Sequence, residues 1–183
     1  MKMREIPFAL KDGRQALLRG PLPDDAQGTL DLLQKCAEET EFLVRAPEEG
    51  GRYSLEKEIA FFERKVASEN EAFIMCIVDG KVVGNCELNF TDRVKTRHRA
   101  SIGIQVLKEY WNLGIGTKMF EEMIRIASER KEVTQLELEF AEGNARGRAL
   151  YEKMGFRIVG VHPNALKQKD GKYYNEYLML REM

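Results

Sequence analysis

Histidine and cysteine are scarce in this chain, and neither is spaced for metal or redox chemistry. The two histidines, His98 and His162, fall in different segments, and neither has a partner at His-x-x-x-His spacing. The three cysteines, Cys36, Cys76 and Cys86, form no Cys-x-x-Cys pair, which argues against zinc and dithiol readings and leaves no metal site to assign. Without a framework spacing they read as reduced thiols, and a cytoplasmic setting is expected. No Gly-x-Ser-x-Gly marks a hydrolase elbow. No apolar run approaches the roughly 20 residues of a membrane span, so no membrane partner is expected. The start, Met1 to Glu5, is charged and no apolar segment follows, so no signal peptide is expected. Neither sign of charge is in excess: 29 Lys and Arg face 30 Asp and Glu, a net charge of -1, which gives no reason to expect a nucleic-acid partner. With 183 residues, 43% of them hydrophobic, the chain is expected to form one domain over 1–183 with a sizeable core.

What is present is a regular succession of patterned segments. Gln15 to Arg19 reads as a first strand. A helix then starts at Pro21–Asp25 and runs to about Glu39, with Leu30, Leu33 and Ala37 at helical spacing. Phe42 to Tyr53 is a loop, and Ser54 is suited to cap a helix that ends near Glu69. Ala72 to Val78 and Lys81 to Phe90 flank Asp79-Gly80, the signature of a hairpin. A strand begins near His98, and a helix is expected over Lys118 to Arg130. Thr134 to Phe140 alternates as a half-buried strand, with Leu136, Leu138 and Phe140 on one face. A further helix stops at Gly155. Arg157 to His162 is a strand, Pro163 to Lys172 a basic loop, and Tyr173 to Arg181 the last strand. The fold class is α/β (α+β), a mixed sheet flanked by helices.

The segment with most chemical content joins the strand at Ala100–Val106 to the following helix: Tyr110-Trp111-Asn112-Leu113-Gly114-Ile115-Gly116-Thr117. Amides of a first helical turn have no partner within the helix, and the helix dipole adds partial positive charge there, an arrangement that receives phosphate. Gly114 and Gly116 are expected to let a ligand approach the main chain without meeting a Cβ. Two common phosphate motifs fail on the letters. The P-loop order Gly-Lys-Thr is reversed to Gly116-Thr117-Lys118, and position 119, where a dinucleotide fingerprint has its third glycine, is Met.

Further on stands Asn144-Ala145-Arg146-Gly147-Arg148-Ala149-Leu150-Tyr151-Glu152-Lys153-Met154-Gly155-Phe156. Two motifs in this order and at this separation, between about Ala100 and Phe156, resemble the GNAT N-acetyltransferase superfamily. The resemblance implies a mostly antiparallel central sheet flanked by helices, an acetyl-CoA-binding core at about 98–156, and transfer of an acetyl group from acetyl-CoA to an amine. It implies that the main chain of Asn112, Leu113, Gly114, Ile115, Gly116 and Thr117 cradles the pyrophosphate. Trp111 departs from the Gln or Arg of the family turn, so packing under the turn is expected of it instead. Val106 falls where the backbone pairs with the pantetheine arm, in a gap between two strands. Asn144 matches a residue that contacts the CoA arm, and also reads as a helix cap. Tyr151 matches a tyrosine near the thioester sulfur, suited to protonate the departing thiolate. Arg146, Arg148 and Lys153 are candidates for the 3′-phosphate.

The base that deprotonates the acceptor amine is less determined. Some relatives carry Glu near the position of Ser101, and Arg99 to Val106 holds none. Glu87, Glu137 and Glu139 are the candidates, beside a mechanism with water alone. From Asp24 to Glu63, where relatives wall the acceptor site, eleven acids stand against four bases; they read as ordinary solvated helix faces or as an acidic wall, and the wall would favour a cationic amine acceptor on a small molecule or a protein N-terminus. A homodimer stays open. The rival readings are a non-catalytic acyl-CoA sensor and a transferase for another acyl group or a hydroxyl acceptor.

Overall fold

The computed structural model describes residue 1 and residues 3–183. In chain order the elements are β1 (Ile6–Ala9), β2 (Gln15–Arg19), α1 (Ala26–Glu39), α2 (Leu55–Ala67), β3 (Glu71–Val78), β4 (Lys81–Phe90), β5 (Arg99–Val106), α3 (Ile115–Ser128), β6 (Gln135–Ala141), α4 (Ala145–Lys153), β7 (Arg157–Lys167) and β8 (Tyr173–Glu182), with short 3-10 turns at Pro23–Asp25, Pro47–Arg52 and Lys108–Tyr110. The strands make one sheet in the order β1-β2-β3-β4-β5-β6-β8-β7. Every neighbouring pair is antiparallel except β5 with β6.

Helices cover both faces. Lys65 Nζ on α2 donates to Glu87 Oε2 on β4 at 3.0 Å, which fixes α2, with α1 beside it, over the face that carries Glu87. α3 lies over the other face, where its Gly116 approaches Ile104 of β5. α4 joins it there through Tyr151, whose ring is 5.6 Å from Phe120 on α3 and 5.8 Å from Phe140 on β6. The core between these layers holds Leu88, Met75 and Leu136 from the sheet and Met119, Phe120 and Met123 from α3, all fully buried.

The helix starts follow from their caps. Ser54 Oγ accepts from Lys57 N at 3.4 Å and Asn144 Oδ1 accepts from Gly147 N at 2.9 Å, each satisfying an amide that the helix leaves unpaired. The hairpin turns at Asp79 and Gly80, both at positive φ.

Three boundaries differ from the sequence reading. β1 was not expected; Pro7 sits inside it, and as an edge strand it tolerates a residue with no N–H to give. β7 runs past His162 through Pro163 to Lys167, accommodated by an irregularity between His162 and Leu166 where Asn164 takes a positive φ. α3 begins at Ile115, three residues before Lys118, because Gly114 at φ 100° is itself the cap. Ile115, Gly116 and Thr117 are therefore helical.

Candidate active site

β5 and β6 are paired only at their starts, Arg99 with Gln135, Ala100 with Leu136 and Ser101 with Glu137, and then diverge. Backbone groups alternate in direction along a strand. Leu107 N donates to Val83 O on β4 at 3.0 Å, so the intervening direction, that of Ile102, Ile104 and Val106, faces the gap toward β6. The result is a length of strand edge inside the sheet with no strand opposite it.

The turn that follows closes one end of this gap. Asn112 at φ 64° and Gly114 at φ 100° reverse the chain into α3. Lys118 N, bonded to Gly114 O at 3.0 Å, makes the first bond of the helix, and the amides of Ile115, Gly116 and Thr117 precede it. Leu113 is placed differently: its carbonyl accepts from Lys11 N at 3.1 Å, and it is not among the residues that line the cavity below. The two glycines have distinct reasons. A Cβ on Gly114 would meet nothing, so its backbone angle is the constraint; a Cβ on Gly116 would stand 2.8 Å from Leu150 Cδ2, so its constraint is the close packing of α3 on α4 rather than the approach of a ligand.

Trp111 ties the turn to β5. Its indole Nε1 donates to Val106 O at 2.7 Å, and the Arg146 guanidinium lies over its ring at 3.2 Å from the centroid. Val106 O is thus engaged, while its N–H faces the gap. Arg146 is drawn in by this stack without a carboxylate partner among the described residues. Lys153 Nζ donates to Thr117 Oγ1 at 3.3 Å, also beside the helix start. Arg148, by contrast, is paired with Glu152 at 2.8 Å and is turned away.

Turn, gap and helices enclose a cavity of about 970 Å³ that passes from the amides of α3 to the inner sides of α1 and α2. Val106, Asn112, Gly114, Ile115, Gly116, Thr117, Asn144 and Tyr151 all line it. Asn144 spends its side-chain oxygen on the cap, which leaves its amide group free. Tyr151 is 8% exposed and its hydroxyl has no hydrogen-bond partner among the described residues. Burial pushes its phenol above the ordinary tyrosine range, with the Arg146 guanidinium acting in the opposite direction.

A helix start with free amides beside an opened pair of parallel strands coincides with the family comparison. The sequence profile of the acetyltransferase (GNAT) family matches residues 30–156.

The chain belongs to the GNAT family.

Its curated relatives include the L-amino acid N-acetyltransferase AaaT of Escherichia coli, 30% identical over 59% of this chain and 66% of the relative. They also include an N-alpha-acetyltransferase of Sulfurisphaera tokodaii, 32% identical over 55% of this chain and 65% of the relative. The chain thus spans just under two thirds of the length of each. Among solved structures, an acetyltransferase of the GNAT family from Streptococcus pneumoniae superposes with a TM-score of 0.84, at 27% identity, over 92% of this chain and 99% of that one. The mixed, mostly antiparallel sheet flanked by helices is the GNAT fold.

Within this GNAT site the candidate bases separate. Glu87 is directly opposite Gly103 of β5, and a Cβ on Gly103 would come 3.4 Å from Glu87 Oε1. The glycine makes room for the carboxylate at the gap; no bulge is involved. Lys65, itself 4% exposed, holds Glu87 while also bonding Glu71 at 2.6 Å and Asn89 at 3.1 Å. Glu139 lines the cavity from β6. Glu137 does not: it accepts from Gln135 Nε2 at 2.6 Å and pairs with Arg99 at 3.3 Å, beyond the closed end of the gap.

An acidic wall from Asp24 to Glu63 is not what lines the cavity. Of those eleven acids only Glu39 and Glu58 reach it, together with Arg45, Arg52 and Lys57, and Glu39 is engaged by Lys108 N at 2.7 Å. The other carboxylates come from strands: Glu87, Glu139 and Glu176. Glu58 and Glu176 escaped the sequence reading. Glu58 carried a signal, since it stands on the helix face that also presents Phe61, Phe62 and Lys65 to the sheet, where a charge is out of place. Cys36 lines the cavity as well, its thiol pushed up to about 12 by burial, and so is no nucleophile at neutral pH.

Proposed function

We propose that this protein transfers the acetyl group of acetyl-CoA to a primary amine by direct attack, with no acyl-enzyme. The observation that carries the reading is that free helix amides, an unpaired strand edge and an unengaged tyrosine hydroxyl open on one cavity. The amides of Ile115, Gly116 and Thr117 receive the pyrophosphate, assisted by Arg146 and Lys153. The pantetheine arm lies along Ile102 to Val106 as an added strand. The Val106 N–H holds the thioester oxygen as negative charge develops on it.

Glu87, at the gap opposite Gly103, takes a proton from the acceptor ammonium, directly or through one water. The freed nitrogen attacks the thioester carbon. The C–S bond breaks as the tetrahedral adduct collapses, and the sulfur takes the Tyr151 proton. The nitrogen of the adduct gives up its second proton, through water, to the Tyr151 phenolate, and Glu87 releases the first to solvent; the products are the N-acetylated amine and CoA thiol, with one proton released overall. Much of the rate comes from holding amine and carbonyl together. A tyrosine hydroxyl kept protonated and without a partner favours an enzyme over an acyl-CoA sensor. The acceptor is a cationic amine, on a small molecule or at a protein N-terminus.

Thiol release from acetyl-CoA with an amine panel, run beside calorimetry with CoA, tests the reading. Amine-dependent release supports it, and binding without release by any amine favours the sensor.

A further inference from the structure

Glu58 is 7% exposed, lines the cavity from α2 and accepts no hydrogen bond from any described residue. The residue is buried, but its carboxyl oxygens open on the cavity, where a cation of a bound ligand can meet them. Burial pushes the Glu58 carboxyl up, and the Arg45 guanidinium, within electrostatic reach, draws it partly back. Arg45 does not bond it: the guanidinium stacks on Tyr53 at 4.4 Å and donates from Nε to Tyr53 Oη at 3.0 Å. Glu139 and Glu176 face the same cavity from β6 and β8 without an ion pair among the described residues; burial and then the Glu139 charge push the Glu176 carboxyl up, with His162 opposing. Among the lining carboxylates, Glu87 has the ammonium of Lys65 at 3.0 Å and Glu39 that of Lys35 at 4.0 Å, whereas Glu58 has neither an ammonium nor a guanidinium bonded to it among the described residues. Tyr53, Phe61 and Phe73 line the same cavity; Tyr53 already carries the Arg45 guanidinium and Phe61 the side chains of Arg64 and Lys65, so it is the Glu58 carboxyl that is left without a cation.

We propose that Glu58 holds a second cationic group of the acceptor, apart from the amine that is acetylated, so that the enzyme prefers acceptors with two positive charges. This rests on the transferase reading above and names its substrate class. The reacting amine lies by Glu87 and the gap; the second ammonium or guanidinium lies under α2.

The test compares cadaverine with pentylamine, which differ only by the second amine, in the wild-type chain and in Glu58→Gln. The wild type should favour cadaverine by about tenfold or more in kcat/KM, the scale of one charge-assisted contact. In Glu58→Gln the preference should fall to near parity through a higher KM for cadaverine. A wild type with no preference, or a variant that keeps it, overturns the proposal while leaving the transferase reading intact. Absence of thiol release with every amine overturns both. Should Glu58→Gln fail to fold, Glu58→Asp replaces it, and the preferred diamine should become longer by about one methylene; an unchanged optimum overturns the proposal.

Discussion

The indole of Trp111 donates to the carbonyl of Val106 at 2.7 Å, and so the residue that departs from the family turn is what fastens that turn to the open strand. The same ring carries the Arg146 guanidinium. Where the family turn has Gln or Arg, this chain has Trp111, and the guanidinium beside the turn comes from α4. Replacing Trp111 by Phe should keep the stack and lose the hydrogen bond, lowering stability by about 1 kcal/mol. Arg146→Ala should weaken CoA binding about tenfold while the melting temperature stays within a few degrees. Calorimetry and thermal melts separate the two, and equal CoA affinity in Arg146→Ala contradicts a phosphate role.

Tyr151→Phe removes the proposed acid and nothing else in the packing against Phe120 and Phe140. Its kcat should fall by about a hundredfold or more with CoA affinity retained. Because burial raises the phenol, its acid form persists through the whole range below the ordinary value near 10. The rate should therefore show no alkaline loss from Tyr151 below about pH 10. A pH–rate profile that loses an alkaline limb near pH 8 on going to Phe contradicts the assignment.

Gly116 and Gly114 should respond differently to alanine. At Gly116 the new Cβ meets Leu150 Cδ2 at 2.8 Å, and trimming Leu150 to Ala should relieve much of the cost. At Gly114 there is open space but a φ of 100°, so the cost, about 1 kcal/mol, should not be relieved by any neighbour. A double-mutant cycle with Leu150→Ala should give coupling for Gly116 and none for Gly114.

Glu58→Gln should stabilise the ligand-free protein at neutral pH. The folded carboxyl is raised by burial, so folding favours its protonated form. That contribution is fully present below the unfolded value, near 4.3, and is lost as pH rises through the folded value. Burial sets this direction and the Arg45 guanidinium opposes it; Glu39, Arg52, Lys57, Glu87, Glu139 and Glu176 line the same cavity. The melting temperature of the variant should exceed the wild type's at pH 7–8 and converge with it near pH 4. A lower melting temperature at neutral pH contradicts an unpartnered Glu58.

The cysteines should be inert in the native state. Burial pushes the thiols of Cys36 and Cys76 up to about 12 and raises that of Cys86 well above its ordinary value. Iodoacetamide at pH 8 should leave all three unlabelled by mass spectrometry until the protein is unfolded; rapid labelling of Cys36 would reopen a covalent route.

Elements whose signals are local were legible in the sequence. Ser54 and Asn144 announce helix starts because a side-chain oxygen satisfies a nearby amide, and Asp79-Gly80 announces a hairpin because both residues accept positive φ. The start of α3 was placed late because Gly114 serves as its cap in a left-handed conformation that the letters Gly-Ile-Gly do not distinguish from a loop. Glu87 was visible as a candidate, but its place opposite Gly103 depends on the register of β4 with β5. Of the two readings of Asp24–Glu63, solvated helix faces describe most of those acids, and the carboxylates of the cavity are Glu39 and Glu58 from the helices and Glu87, Glu139 and Glu176 from the strands.

The most direct measurement is release of CoA thiol from acetyl-CoA by the purified chain over a panel of mono- and diamines. Amine-dependent release, fastest with a diamine and matched by the N-acetylated product in mass spectrometry, is the result expected. No release with any amine, although CoA binds, would contradict the transferase reading.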